Sequence, residues 1–237
     1  MKKIGLIIAM TIIFISCNEK EINLDKLKKN NGIFYEIKTQ KPFTGKGKYY
    51  YKEGQLEREV TFKNGKEEGL SKLYYQNGKI EREVTFKNGK LEGLSKIYYE
   101  SGQLKSEIPY KNGKLEGFIK SYYESGHLKA ETTFKNEKLE GPSKFYYESG
   151  QLESEMSYKF GVLEDVYKSY YENGHLKAER TYKNGELEGF IKSYYENGHL
   201  RVETTFKNGQ LEGPSKIYDQ NGLLLLDEVY KNGEQIL

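Results

Sequence analysis

The 237-residue chain has one cysteine, no tryptophan and four prolines. A lone cysteine excludes an intramolecular disulfide framework and a cysteine-rich zinc site. Neither sign of charge prevails: 38 basic and 35 acidic residues leave a formal +3, so no strong field marks a nucleic-acid binder. Aliphatic residues are scarce as well. The hydrophobic class is 36%, and 22 tyrosines supply about a quarter of it, whereas an enzyme core draws more on leucine, valine and isoleucine. Mean hydropathy is −0.83, yet aromatics at 14% argue against simple disorder. The 25 glycines are regularly spaced, which points to a repetitive β protein.

The chain opens Met1-Lys2-Lys3, followed by an apolar run from Ile4 to Ile15 and then Ser16-Cys17-Asn18. Two lysines before about a dozen apolar residues are the n- and h-regions of a secretory signal. The run is shorter than the roughly 18–20 residues a membrane-spanning helix needs. Phe14-Ile15-Ser16-Cys17 resembles the lipobox of bacterial lipoproteins, with Phe14 where leucine is commonest. That resemblance implies a signal peptide over 1–16 and lipidation of Cys17, with several acyl chains giving stable anchoring where one is marginal. The alternative is an ordinary signal peptide beside an unrelated cysteine. Residues 17–42 are polar and read as a tether with one short starting strand.

From 43 to 237 the chain repeats every 24 residues: Gly45, Gly69, Gly93, Gly117, Gly141, Gly189 and Gly213 mark the period, with Asp165 in the missing place. Each unit carries two turn signals. One is Asn77-Gly78 and its counterparts, among them Ser101-Gly102 and Asn197-Gly198; the other is Asn64-Gly65 and its counterparts, such as Asn88-Gly89. Asn-Gly suits the positive φ of a two-residue type I′ hairpin. Two hairpin turns per unit predict an all-β fold: an elongated, coiled antiparallel meander of about eight 24-residue β-hairpin repeats. A two-residue loop at Asn77-Gly78 places Lys72 opposite Glu83, and the same arithmetic pairs Lys48–Glu59, Lys96–Glu107, Lys120–Glu131, Lys144–Glu155, Lys168–Glu179, Lys192–Glu203 and Lys216–Asp227. Residues of the Tyr75, Ile80, Val84, Phe86 and Leu91 type fall on the other, apolar face. Pairing about Asn88-Gly89 opposes Arg82 to Ser95. The sequence then advances two residues more per repeat than the ladder, which requires a stagger or a bulge near Glu92-Gly93. A sheet this wide must curl, or cover its apolar face with another copy or a partner.

The pattern Y-Y-x-x-G-x-L-x-x-x-x-x-Y/F-x-N-G-x-L-x-G, spanning roughly 43–233, resembles the MORN-repeat variant family. The resemblance implies hairpin repeats stacked into a long sheet used for binding or scaffolding, and many such proteins are catalogued as antitoxin-like. Asn136-Glu137, Phe160-Gly161 and Asp165 depart from the pattern, so an irregular joint is expected in repeats four and five.

Few residues invite a chemical role. His127, His175 and His199 occupy the slot after the first-turn glycine, where other repeats have glutamine, lysine or leucine, so they read as solvated turn residues. The row from Glu59 to Asp227 reads as a salt-bridged ladder, since each member has its own lysine. No phosphate-binding loop and no nucleophile–base constellation stands out, and no cofactor or metal is implied. The tyrosines differ in degree. Tyr50, Tyr74, Tyr98, Tyr122, Tyr146, Tyr170, Tyr194 and Tyr218 lie by parity on the Lys/Glu face; Tyr74 to Tyr194 are the candidate binding face, because rigid tyrosines give contact area at small entropic cost. Their neighbours, from Tyr51 to Tyr195, read as packing on the apolar side. The expected protein is a lipid-anchored, noncatalytic binding or scaffold protein of the bacterial envelope, engaging a protein or glycan and not nucleic acid. A homo-oligomer would cover the apolar face. The alternative is an antitoxin-like component that neutralises a partner toxin.

Overall fold

The computed structural model describes residues 19–237, so Cys17 and the lipobox-like segment lie outside the described residues. The main sheet has 20 strand segments. Sixteen antiparallel strands run in sequence order from Gly45–Tyr50 to Leu224–Lys231, once the strands interrupted at Glu92 and Glu116 are each counted as one. Short strands Glu21–Asn23 and Glu234–Gln235 flank them, the first parallel to Gly45–Tyr50. This is the expected meander.

All eight Lys–Glu or Lys–Asp rungs form as the charge pattern requires. The two surplus residues per repeat are absorbed by a bulge, not a stagger. Pairing passes from Phe62↔Glu67 to Val60↔Ser71, leaving Glu68, Gly69 and Leu70 against Thr61. Gly69 and Gly93 adopt φ of 79° and 82°, a backbone that a side chain would disfavour. Because the bulge returns the register, Arg82 faces Ile97 and not Ser95, and Glu83 faces Lys96. Lysine and glutamate therefore alternate straight across the whole sheet, each internal carboxylate having a lysine on both sides.

The two turns of a repeat are different. Asn64 and Gly65 both have positive φ, 51° and 73°, and Lys63 pairs with Lys66, which is the type I′ hairpin. The turn at Asn77-Gly78 is a three-residue loop instead. Only Gly78 is left-handed (φ 81°), Gly78 N–H donates to Tyr75 O at 2.9 Å, and Tyr75 N–H donates to Lys79 O at 2.8 Å. The extra loop residue makes Tyr74, not Tyr75, the partner of Ile80. Serine at positions 101, 125 and 149 already hinted at this, since serine tolerates positive φ less well than asparagine.

No irregular joint appears at repeats four and five. Asn136 and Glu137 (φ 50° and 65°), Phe160 (φ 53°) and Asp165 (φ 69°) hold the same backbone as their counterparts, and Lys135↔Lys138 and Lys159↔Val162 keep the hairpin register. Neighbouring repeats impose the conformation, and these side chains bear the local strain.

Residues 19–43 are not a simple tether. Glu21–Asn23, the 3-10 turn Leu24–Lys26 and the hairpin of Leu27–Asn30 with Ile33–Glu36 fold onto the first repeat. Ile22, Leu24, Leu27 and Phe34 pack on Phe43, Val60 and Phe62, which are 1–2% exposed. Gly47 permits this cover, because a Cβ there would come within 2.4 Å of the Leu24 side chain. This cap is the best-buried core; farther along, the apolar face is half-buried and has no second layer among the described residues.

Candidate interaction surface

Successive repeats are tied by three sets of hydrogen bonds. The inner tyrosines Tyr51, Tyr75, Tyr99, Tyr123, Tyr147, Tyr171 and Tyr195 each donate their hydroxyl to a strand-end carbonyl of the next repeat, from Tyr74 to Tyr218, at 2.6–2.9 Å. They are staples between repeats as well as packing residues. At the opposite edge, the bulge glutamates Glu68, Glu92, Glu116, Glu140, Glu164, Glu188 and Glu212 accept the N–H of the first turn residue of the next hairpin at 2.7–2.9 Å. Bonds to a carboxylate are the stronger kind. The recurring glutamate just before the repeat glycine, spelled L-E-G in five of these seven places, was the available signal for this role, and sequence reasoning passed over it. The histidines form the third set: Nδ1 of His127, His175 and His199 meets Glu148, Glu196 and Gln220 carbonyls at 2.6–2.7 Å, on exposed turns.

The candidate binding tyrosines lie on the Lys/Glu face in one row, as parity requires, but they are half-buried. Tyr98, Tyr122, Tyr146 and Tyr170 donate to Glu83, Glu107, Glu131 and Glu155 at 2.8–3.1 Å. Burial, and then the adjacent carboxylate, pushes the Tyr98 and Tyr170 hydroxyls up to about 12 and raises Tyr122 and Tyr146 in the same direction. Tyr74 and Tyr194 share the row. These rings are committed to the sheet. Beside them, Lys72–Glu83 and Lys192–Glu203 close to 3.3 and 3.0 Å at half-exposed positions, where solvent still screens the ion pair.

The accessible apolar surface of this face lies one pleat farther along. Leu70, Leu94, Phe118, Val166 and Phe190, each following the bulge residue, are 48%, 45%, 58%, 38% and 55% exposed. They share the parity of the Lys/Glu rail and oppose Thr85, Pro109, Thr133, Thr181 and Thr205. Two strand spacings separate neighbours, about 10 Å, except that Pro142 takes the slot between Phe118 and Val166. A row of single large apolar side chains, flanked by alternating charges, is suited to contact. Among the described residues, no group of three or more His, Cys, Asp or Glu is placed to hold a metal ion, and no helix is long and apolar enough to cross a membrane.

Fold and surface together define a β-hairpin repeat protein whose repeats are chained by side-chain bonds. The MORN repeat variant model matches residues 43–64, 67–88, 91–112, 115–136, 139–160, 166–184 and 187–208, and the chain belongs to that family. No curated protein matches it. Among solved structures it is similar to an alternansucrase in complex with isomaltononaose, at 16% identity and a TM-score of 0.21, covering 84% of this chain and 16% of that one.

Proposed function

We propose that this MORN-variant protein is a noncatalytic binding scaffold of the bacterial envelope, anchored by lipid on Cys17 and engaging a protein or glycan through its Lys/Glu face. The observation that carries the reading is the exposed row Leu70, Leu94, Phe118, Val166 and Phe190. Burying such side chains at an interface is favourable by about 25 cal/mol per Å², and the sheet holds them rigid before binding, so little ordering entropy is lost. The tyrosine row lies on the same face, across the charged rail. Replacing Phe118 and Phe190 with serine should leave the circular dichroism and melting unchanged while reducing partner capture from intact envelopes. Full capture by the double variant would reject this face. The anchor is tested separately: Cys17→Ala should abolish fatty-acid labelling, and equal labelling of variant and wild type would reject lipidation.

A further inference from the structure

The opposite, apolar face changes character along the chain. Over repeats one to three it holds a hollow of about 430 Å³ with Leu73, Val84, Phe86, Leu91 and Ile97 among its walls, beside Arg58 and Arg82. Over repeats five to seven a second hollow, of about 320 Å³, is built differently. Its floor is the consecutive ladder Ser154↔Ser169↔Ala178↔Ser193, which ends at Phe145 on one side and at Val202 and Ile217 on the other; Ser106↔Ser121↔Ala130 is the one other run of small residues in these slots. Ser154 and Ala178 are 8% and 6% exposed, so the floor lies deep.

The rim departs from the repeat just as sharply. Tyr167 stands where four other repeats have serine, and Arg180, directly opposite it, stands where others have valine, isoleucine, methionine, threonine or, in the last repeat, Glu228. The Arg180 guanidinium lies 5.6 Å from the Tyr167 ring centroid, and Lys177 Nζ lies 5.5 Å from that of Tyr171. Cation–π contacts hold both cations in place before any ligand arrives. Glu153 and Arg201 complete the lining on either side of Lys177. Glu172 lies close enough to act on Tyr147, another wall residue. None of Lys177, Arg180 and Arg201 makes a salt bridge among the described residues, and with one carboxylate in the lining and Glu172 nearby the hollow is net positive.

We infer that this hollow is a binding site for a carboxylated sugar, a uronic-acid-type ring whose carboxylate meets Arg180 and whose hydroxyls meet the serine floor. The volume falls in the range of small-molecule sites. A net positive hollow attracts an anion, and the planar Arg180 guanidinium, set against the Tyr167 ring, matches a planar carboxylate. Guanidinium offers a carboxylate two parallel hydrogen bonds, while tyrosine walls and serine hydroxyls suit a ring that is apolar on its faces and polar at its edge. The site is independent of the Lys/Glu face.

Calorimetric titration of the protein with glucuronate, glucose and glucose 6-phosphate tests it. Glucuronate should bind at least tenfold more tightly than either of the others. Arg180→Thr, which installs the residue found at Thr132 and Thr204, should remove that preference at unchanged melting temperature. Ala178→Leu should block all three sugars by filling the floor. Equal binding of glucose, tighter binding of the phosphate, no heat with any sugar, or an Arg180→Thr variant that keeps wild-type affinity would each overturn the assignment.

Discussion

The inter-repeat tyrosine staple makes a quantitative prediction about cooperativity. In Tyr123→Phe the ring stays and only the 2.8 Å bond from its hydroxyl to Tyr146 O is lost. A net hydrogen bond of this kind contributes about 1 kcal/mol. The carbonyl it leaves behind lies at a strand end beside an exposed turn, where water can replace the donor, so the loss should stay near that value. Combining Tyr99→Phe, Tyr123→Phe and Tyr147→Phe removes three successive staples. Their bonds sit in different repeats about 10 Å apart, so the losses should add to about 3 kcal/mol. All three fall on interfaces between neighbours, and in a linear array those interfaces are what couple one end to the other. Urea denaturation of residues 19–237 should therefore show a lower midpoint and a smaller m-value, as the two ends begin to unfold separately. Tyr50→Phe is the control: its ring is 43% exposed, and its removal should change stability by less than about 0.5 kcal/mol. A triple variant within about 0.5 kcal/mol of wild type, with unchanged m-value, would show that the staples do not couple the repeats.

Asp165→Gly should stabilise the chain by about 1 kcal/mol, because it relieves a side chain held at φ 69°; a lower melting temperature would show that the Asp165 side chain contributes more than its strain costs. Deleting residues 94–117, one whole period, should leave a shorter folded array, whereas deleting 12 residues joins non-equivalent strands; equally cooperative melts would contradict the repeat frame. Tyr98 and Tyr170 keep their protons to about 12 when folded and to about 10 when unfolded, so their contribution is complete below pH 10 and lost as pH rises towards 12. Stability followed by denaturant midpoint should fall across that window in wild type, and less in Tyr98→Phe/Tyr170→Phe; an identical slope would separate these hydroxyls from the effect. Sixteen strands about 4.8 Å apart imply a sheet of roughly 75 Å, so small-angle scattering should report an elongated particle; the radius of gyration of a compact globule, about 17 Å, would reject it.

Much of this protein was legible in its sequence because the chain repeats one short-range solution. The period, the strand pairs, the Lys–Glu rungs and the face of each tyrosine follow from turn chemistry and strand parity, which act within a few residues. Glycine spacing identified the bulge region near Glu92-Gly93, although not whether the surplus residues would be lost there or passed on as a stagger. What the tertiary structure decided lies between repeats. Ser and Asn before the first-turn glycine allow two loop lengths, and in the three-residue form that is adopted Asn77, Asn173 and Asn197 bond to the next loop, as Asn77 Nδ2 does to Glu100 O at 3.2 Å. Residues 19–43 look like a polar tether because their few apolar side chains lack a period; they become a cap because the first repeat offers Val60 and Phe62 uncovered. The outer tyrosines have the parity of a binding face, but their hydroxyls fall within reach of carboxylates only after the bulge sets neighbouring hairpins in line. That alignment leaves Leu70 and Phe118 exposed and sinks Ser154 and Ala178 into a hollow. Burial depends on what the adjacent repeat places overhead, and no single repeat's residues specify that.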